Sequence, residues 1–432
     1  MTMKSLLLGA AAGLTTVGVA QAADLPMTKA EPVEYVKVCS EFGEGYFYIP
    51  GTDTCLRLQG EIRAKYRFYQ PKDTAAGSKR DANATDFSTE ARVMWDARTQ
   101  TEWGLLRSFF QIDATANNGS NNFVVDKAFI QLGGFTAGYA HTFFGIYDND
   151  YGDTIYAGYF TSQSTVNLLA YTATFGGGFS ATLSLEDNIE HRSSLWNSTF
   201  TAIKDDDGIT TGVAFGGAGT YGGSRVPDIV GQLRIDQGWG EAAVFAAGHQ
   251  INYPAGVAGA SDWGWAAGAG VGVKLPFLAG AHVALEGVYA DGAANYLGLS
   301  DPEAAYFAGF GKEKGKGWSI TGEIGVDVSP ALNITVFGSY VDYNAGDPLK
   351  NTIFADLTPG VDDFTAYVAG INATYTIVKG LTVSGEVWYQ KKDYKNFGSG
   401  TFPTNFNNGA LGGSVDGDTS SWNGGVRIRR VF

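Results

Sequence analysis

The chain is 432 residues long with a formal net charge of −14 at pH 7, an acidity that argues against nucleic acid as a partner. A mean hydropathy of −0.07, and no apolar run beyond the N-terminus long enough to span a bilayer as a helix, exclude a helical membrane protein. They do not exclude a β-barrel, whose strands show lipid only at every second residue, and 60 Gly, 27 Phe, 22 Tyr and 9 Trp against 12 Pro suit strands, tight turns and aromatic girdles.

At the N-terminus Lys4 precedes an apolar stretch from Leu6 to Val19 and the small-x-small site Ala20-Gln21-Ala22. That is the pattern of an export signal over residues 1–22, cut after Ala22 and too short for a membrane-spanning helix. Residues 23–54 form an extension that either lies in the periplasm or tucks into the mouth of the domain that follows. The only two cysteines are Cys39 and Cys55. In an exported chain an even pair this close is most simply a disulfide, with buried free thiols as the alternative.

From residue 55 to 432 the pattern is all-β. Leu56, Leu58, Gly60, Ile62, Ala64, Tyr66 and Phe68 alternate with Arg57, Gln59, Glu61, Arg63, Lys65 and Arg67, giving one lipid-compatible face and one charged face. A soluble sandwich would give the same alternation, so the count of segments and their connections must decide. Strands are predicted to begin near Cys55, Asp86, Gly104, Phe123, Phe135, Leu168, Phe179, Val226, Glu241, Gly264, Gly280, Gly317, Ala331, Asp363, Gly380 and Ser421, sixteen in all. The strands from Phe123 and Glu241 show no clear phase. Short connections such as Gly133-Gly134, Ser329-Pro330 and Lys379-Gly380 alternate strictly with long polar ones, the pattern of an antiparallel transmembrane barrel with short periplasmic turns and long extracellular loops. Glycines are expected at turns and at outward strand positions. The last strand sends Trp422, Gly424, Val426, Ile428 and Arg430 outward, and it ends on Phe432, a terminal aromatic suited to the barrel-assembly machinery. Sixteen strands enclose an aqueous channel, where smaller barrels fill with their own side chains.

The run PVEYVKVCSEFGEGYFYIPGTDTCLRLQGEIR at positions 32–63 resembles the N-terminal signature of the alphaproteobacterial porins, the Brucella and rhizobial outer-membrane family, and AFIQLGGFTAG at positions 128–138 is similar to a second stretch of it. Leu58-Gln59-Gly60-Glu61 departs from the more usual Ile-Gly-Gly-Tyr, which touches the pore lining and not the fold. The resemblance implies a homotrimeric general diffusion porin of the bacterial outer membrane, in contact with lipid and lipopolysaccharide, passing small hydrophilic solutes and ions. It implies no cofactor.

Strand pairing then locates the lumen's charge. In a closed barrel strands 16, 1, 2 and 3 form one wall, and their inward phase collects Arg427, Arg429, Arg57, Arg63, Lys65, Arg67, Arg92, Arg98 and Arg107, with Glu61, Glu90, Asp96 and Asp113 interspersed. Ordinary surface salt bridges are the alternative reading of each. The connection at about 144–167 carries Asp148, Asp150 and Asp153, and the resemblance implies that it folds into the lumen, where these acids would face the basic wall across a constriction. Otherwise they solvate an extracellular loop or bind a divalent cation. Opposed charges across a narrow opening would orient dipolar solutes and give weak ion selectivity.

Two other functions compete. A substrate-preferring channel, for sugars for example, would use inward aromatics such as Phe337 and Trp388. A barrel enzyme needs a convergent site, and His141, His191, His249 and His282 are scattered outside any nucleophile or metal motif. No fixed glycine-aspartate repeat supports a secreted solenoid.

Overall fold

The computed structural model describes residues 37–71, 83–117, 119–147, 151–204, 210–217, 221–255, 259, 261–307, 311–346, 363–395 and 419–432. The export signal at 1–22 and the acids Asp148 and Asp150 lie outside the described residues.

Sixteen strands pair antiparallel, each with its chain neighbour. They are β1 (Cys55–Pro71), β2 (Thr85–Thr101), β3 (Gly104–Asn117), β4 (Ser120–Leu132), β5 (Phe135–His141), β6 (Thr165–Gly176), β7 (Phe179–Glu186), β8 (Asp228–Gln237), β9 (Gly240–Asn252), β10 (Ser261–Lys274), β11 (His282–Asp291), β12 (Lys316–Ser329), β13 (Leu332–Asn344), β14 (Phe364–Val378), β15 (Leu381–Tyr394) and β16 (Thr419–Val431). Pairing of β16 with β1, from Glu61 opposite Val431 to Pro71 opposite Ser421, closes the barrel. Every strand expected from alternation is present.

Two expectations need correction, and the extracellular connections add a feature not expected. Connections do not alternate strictly in length, because β4 starts at Ser120 and leaves only positions 118 and 119 between it and β3; Gly119 has φ +80°, the conformation such a tight hairpin turn needs. Glycines are not confined to turns and outward positions. Along β10, Gly264, Gly268, Gly270 and Gly272 alternate with the exposed Trp263, Trp265 and Val271, so the glycines face inward. A Cβ on Gly270 would meet Ile146, and one on Gly272 would meet Tyr151, so the missing side chains make room for the loop that enters the lumen. Finally, the extracellular connections carry strands of their own: Leu195–Lys204 pairs with Thr210–Gly217 and, in parallel, with Ala304–Phe307, which pairs with Gly311–Lys314.

The two strands without a readable phase explain themselves. In β9, Ala243, Phe245 and Ala247 are buried and face inward, opposite Val244, which faces out; both faces are apolar, so alternation of polarity disappears. In β4, residues 120–125 are exposed on both faces. There β5 is too short to cover it: β5 pairs with β4 only from Ala128 to Leu132, because the chain turns inward after His141.

Residues 37–54, the described part of the N-terminal extension, tuck in against β1. Phe47–Tyr48 pairs with the start of β1, and the disulfide Cys39–Cys55, with Cα atoms 6.0 Å apart, fastens the segment. Tyr46 is buried and its hydroxyl donates to Asp96 at 2.8 Å. At the other end of the chain Phe432 exchanges two backbone hydrogen bonds with Gly60, and its ring lies where a Cβ on residue 60 would be. Arg430 faces outward and donates to the carbonyl of Lys379 at 2.9 Å, in the turn between β14 and β15.

Candidate functional site: the channel lumen

The inward faces of β16, β1, β2 and β3 form a ladder of cations and carboxylates in which nearly every charge has a partner. Arg67 donates to both oxygens of Asp86, at 3.0 and 2.6 Å. Arg98 and Arg107 each make a two-pronged bond to Asp96, at 2.9–3.1 Å for Arg98 and 2.9–3.0 Å for Arg107, with Arg57 at 3.8 Å. Arg63, Lys65 and Arg92 converge on Glu90, and Arg92 also reaches Asp113 at 2.8 Å. Glu61 takes Arg63 and Arg429, the latter at 2.9 Å. Of the nine basic residues expected on this wall, Arg427 is the one that makes no ion pair among the described residues, and its Nε has no hydrogen-bond partner. Asp86 belongs to the ladder as well, a carboxylate not expected there. Tyr46 was also missed as a wall residue: the guanidinium groups of Arg57 and Arg98 lie 4.9 and 5.1 Å from its ring centroid.

The connection between β5 and β6 folds into the barrel and lies against the other side. Phe144, Ile146, Tyr147, Tyr151, Tyr159 and Phe160 are buried there in one cluster with Phe245, Val288, Phe337 and Trp388 from the strands. A loop buried this way must find acceptors for its backbone N–H groups, since an unpaired buried amide is costly. Four glutamates supply them. Glu186 on β7 accepts from Phe143 N at 3.1 Å and the Thr142 hydroxyl at 2.6 Å. Glu286 on β11 accepts from Ile146 N at 2.7 Å and from the Thr161 hydroxyl. Glu323 on β12 accepts from Gly152 N at 2.8 Å, Asp153 N at 3.1 Å and the Tyr159 hydroxyl at 2.5 Å. Glu386 on β15 accepts from three successive amides, Ile155, Tyr156 and Ala157, at 2.6, 2.9 and 2.8 Å. None of these roles is legible from residue types alone, though a carboxylate at an inward position between Ala284 and Val288 is an oddity that demands a partner.

What the loop turns toward the arginine ladder is Tyr156. Its hydroxyl donates to the Val426 carbonyl of β16 at 2.7 Å and the Arg67 guanidinium lies 6.0 Å from its ring, while burial pushes its phenol up to about 12. Asp153 stands elsewhere: its half-exposed carboxylate lies 3.5 Å from His282 and 3.3 Å from the Thr335 hydroxyl, on β11 and β13. Burial, reinforced by the charge of Glu323, pushes that carboxyl upward. Phe337 and Trp388 do face inward, but each packs against the loop, Phe337 edge-on to Tyr159 and Trp388 stacked on Tyr156.

Above the loop, the extracellular segments pin themselves with buried polar groups. His249 of β9 sits between Asp228 at 2.8 Å and Glu303 at 3.1 Å, all three fully buried. Burial pushes the Glu303 carboxyl well above its ordinary value.

A closed sixteen-strand barrel, lipid-compatible outside and narrowed by an inward loop, is the architecture of outer-membrane pores. The family profile described as "Porin subfamily" matches residues 24–417. The chain belongs to that family. Porin Omp2b of Brucella suis biovar 1 is 29% identical over 448 aligned residues, covering 100% of both chains, and Porin Omp2b of Brucella neotomae is 35% identical over 257 residues, covering 56% of this chain and 65% of its own. Among solved structures, the outer membrane channel DcaP of Acinetobacter baumannii shares the fold with a TM-score of 0.64 at 14% identity, over 89% of this chain and 99% of that one. The anion-selective porin from Comamonas acidovorans does so with a TM-score of 0.52 at 13% identity, over 88% and 100%. This porin is a multi-pass protein of the outer membrane, and its activity is that of a general diffusion channel.

Proposed function

We propose that small hydrophilic solutes and ions cross this porin passively through an opening bounded by the arginine ladder on one side and by Tyr156 and the seated loop on the other. The observation that carries the reading is the seat itself: a loop fixed by four glutamates on one wall leaves free passage only past the opposite one. Because carboxylates compensate most of the ladder, the pore discriminates weakly by charge, with Arg427 as its uncompensated element. Burial of Phe337 and Trp388 beneath the loop favours this general channel over a sugar-specific aromatic track. Uptake rates in liposomes across a size series of sugars test the choice. A smooth fall with size is expected, and a sharp preference for one sugar would overturn the reading.

The assembly is a homotrimer, and the open edge of β4 supports it. Residues 120–127 have no β5 partner, and Phe123, Val124 and Val125 stand exposed, a liability that a second copy of the chain removes. Residues 1–22 act as the export signal, a reading supported by the family match beginning at residue 24. A gel of unheated against boiled protein tests the trimer, which should run as one large species until heated.

A further inference from the structure

At the point where the inward loop meets β11 and β12, three side chains aim their ligand atoms at one another, and we propose that Asp153, His282 and Glu323 form a site for a first-row divalent cation of the zinc class. The ligand atoms all lie within 4.8 Å of one another. His282 Nε2 stands 3.5 Å from Asp153 Oδ2 and 3.5 Å from Glu323 Oε1. Bonds of about 2.1 Å to a tetrahedral Zn2+ place ligand atoms about 3.4 Å apart, which matches both separations.

The histidine is prepared for this. Its Nδ1 donates to the Gly280 carbonyl at 3.4 Å, which turns Nε2 toward the carboxylates of Asp153 and Glu323, where a metal ion would take the place of a proton. Backbone orientation of the outer nitrogen is the usual support of a metal-bound imidazole. Space for the ring comes from Gly325, opposite His282 on β12, where a Cβ would lie 2.3 Å from the imidazole. Glu323 is held by Gly152 N on Oε1 and by Asp153 N and Tyr159 on Oε2, so its head is fixed while Oε1 keeps a second lone pair for a metal. Asp153, 44% exposed, gives an ion its way in from the lumen. Three protein ligands of the His and carboxylate type leave a fourth position for water. The bound ion would bridge the loop to the wall, and the site stands on the loop's seat, not on the solute range of the channel.

Chelator-stripped porin in detergent, titrated calorimetrically with ZnCl2, tests the site. One Zn2+ per chain is expected, with Asp153→Asn and His282→Ala each weakening binding about tenfold or more, since even an outer-shell partner is worth that much. No stoichiometric binding, or binding unchanged in these variants because another histidine holds the metal, overturns the proposal. Asp153 is exposed, so its variant keeps the test intact if His282→Ala does not fold. Conductance of the same preparations in chelator reports on the channel separately: its loss would count against the diffusion reading and leave the zinc result to stand alone.

Discussion

The two sides of the lumen are built from the same alternating strands and use their inward carboxylates for opposite purposes. On β1–β3 and β16 the partners are arginines and Lys65, whose bonds run from side chain to side chain along the wall. On β7, β11, β12 and β15 the partners are backbone amides of the loop, and the neighbouring inward positions carry no cation beside the glutamate: Ser184 on β7, Ala284 and Val288 on β11, Thr321 and Gly325 on β12, Ser384 and Trp388 on β15. A carboxylate in this barrel therefore acts as counter-ion or as a seat depending on what lies across from it. The arginine side should govern selectivity, and the glutamate side should govern aperture.

The largest break in that contrast should come from Glu386→Ala. It leaves three successive loop amides without their acceptor, each bond to a charged group being worth about 1.5–3 kcal/mol. Single-channel conductance should rise and larger sugars should enter liposomes; unchanged conductance would mean that the loop holds its place without this seat. Next is Arg427→Ala, which removes the one cation of the wall that forms no ion pair among the described residues. A unit charge about 4 Å away in a bulk-like medium is worth about 1 kcal/mol, so the reversal potential in a salt gradient should move toward cations by an amount equal to about a fivefold change in permeability ratio. Arg63→Ala or Arg92→Ala should move it the same way but less, because Glu90 retains other cations. A larger shift from either than from Arg427→Ala would place the controlling charge on β1 or β2. Smallest in its effect on the channel is Tyr46→Phe, which removes one bond to the Asp96 carboxylate, about 1.5–3 kcal/mol, and should loosen the N-terminal segment to protease without altering conductance.

Sequence alone carried the barrel well and the lumen unevenly, for a physical reason visible in particular strands. In β1 one face meets lipid and the other meets water and counter-charges, so polarity alternates and the strand reads at once. In β9 and β10 the inward face meets the loop, and Phe245, Ala247, Gly270 and Gly272 look no different from lipid-facing residues. The arginine ladder could be pooled because its residues announce their charge and adjacent strands follow from closure. The glutamate seat could not, since its partners are backbone amides that no residue name reveals. Tyr156 was invisible in the same way: nothing in the string sets it apart from Tyr147, Tyr151 or Tyr159, and only the path of the loop brings it to Arg67.

Fifteen of the sixteen strand pairs are tied together by a turn or loop that limits how far one strand can slip along the next. The seam between β16 and β1 has no such tether, as it joins strands from the two ends of the chain. A slip of one residue there would exchange inside and outside for a whole strand. The ring of Phe432 in the notch over Gly60, with its pair of backbone bonds, is thus a vernier mark. It tells the last strand where to stop, and through that sets the circumference of the pore.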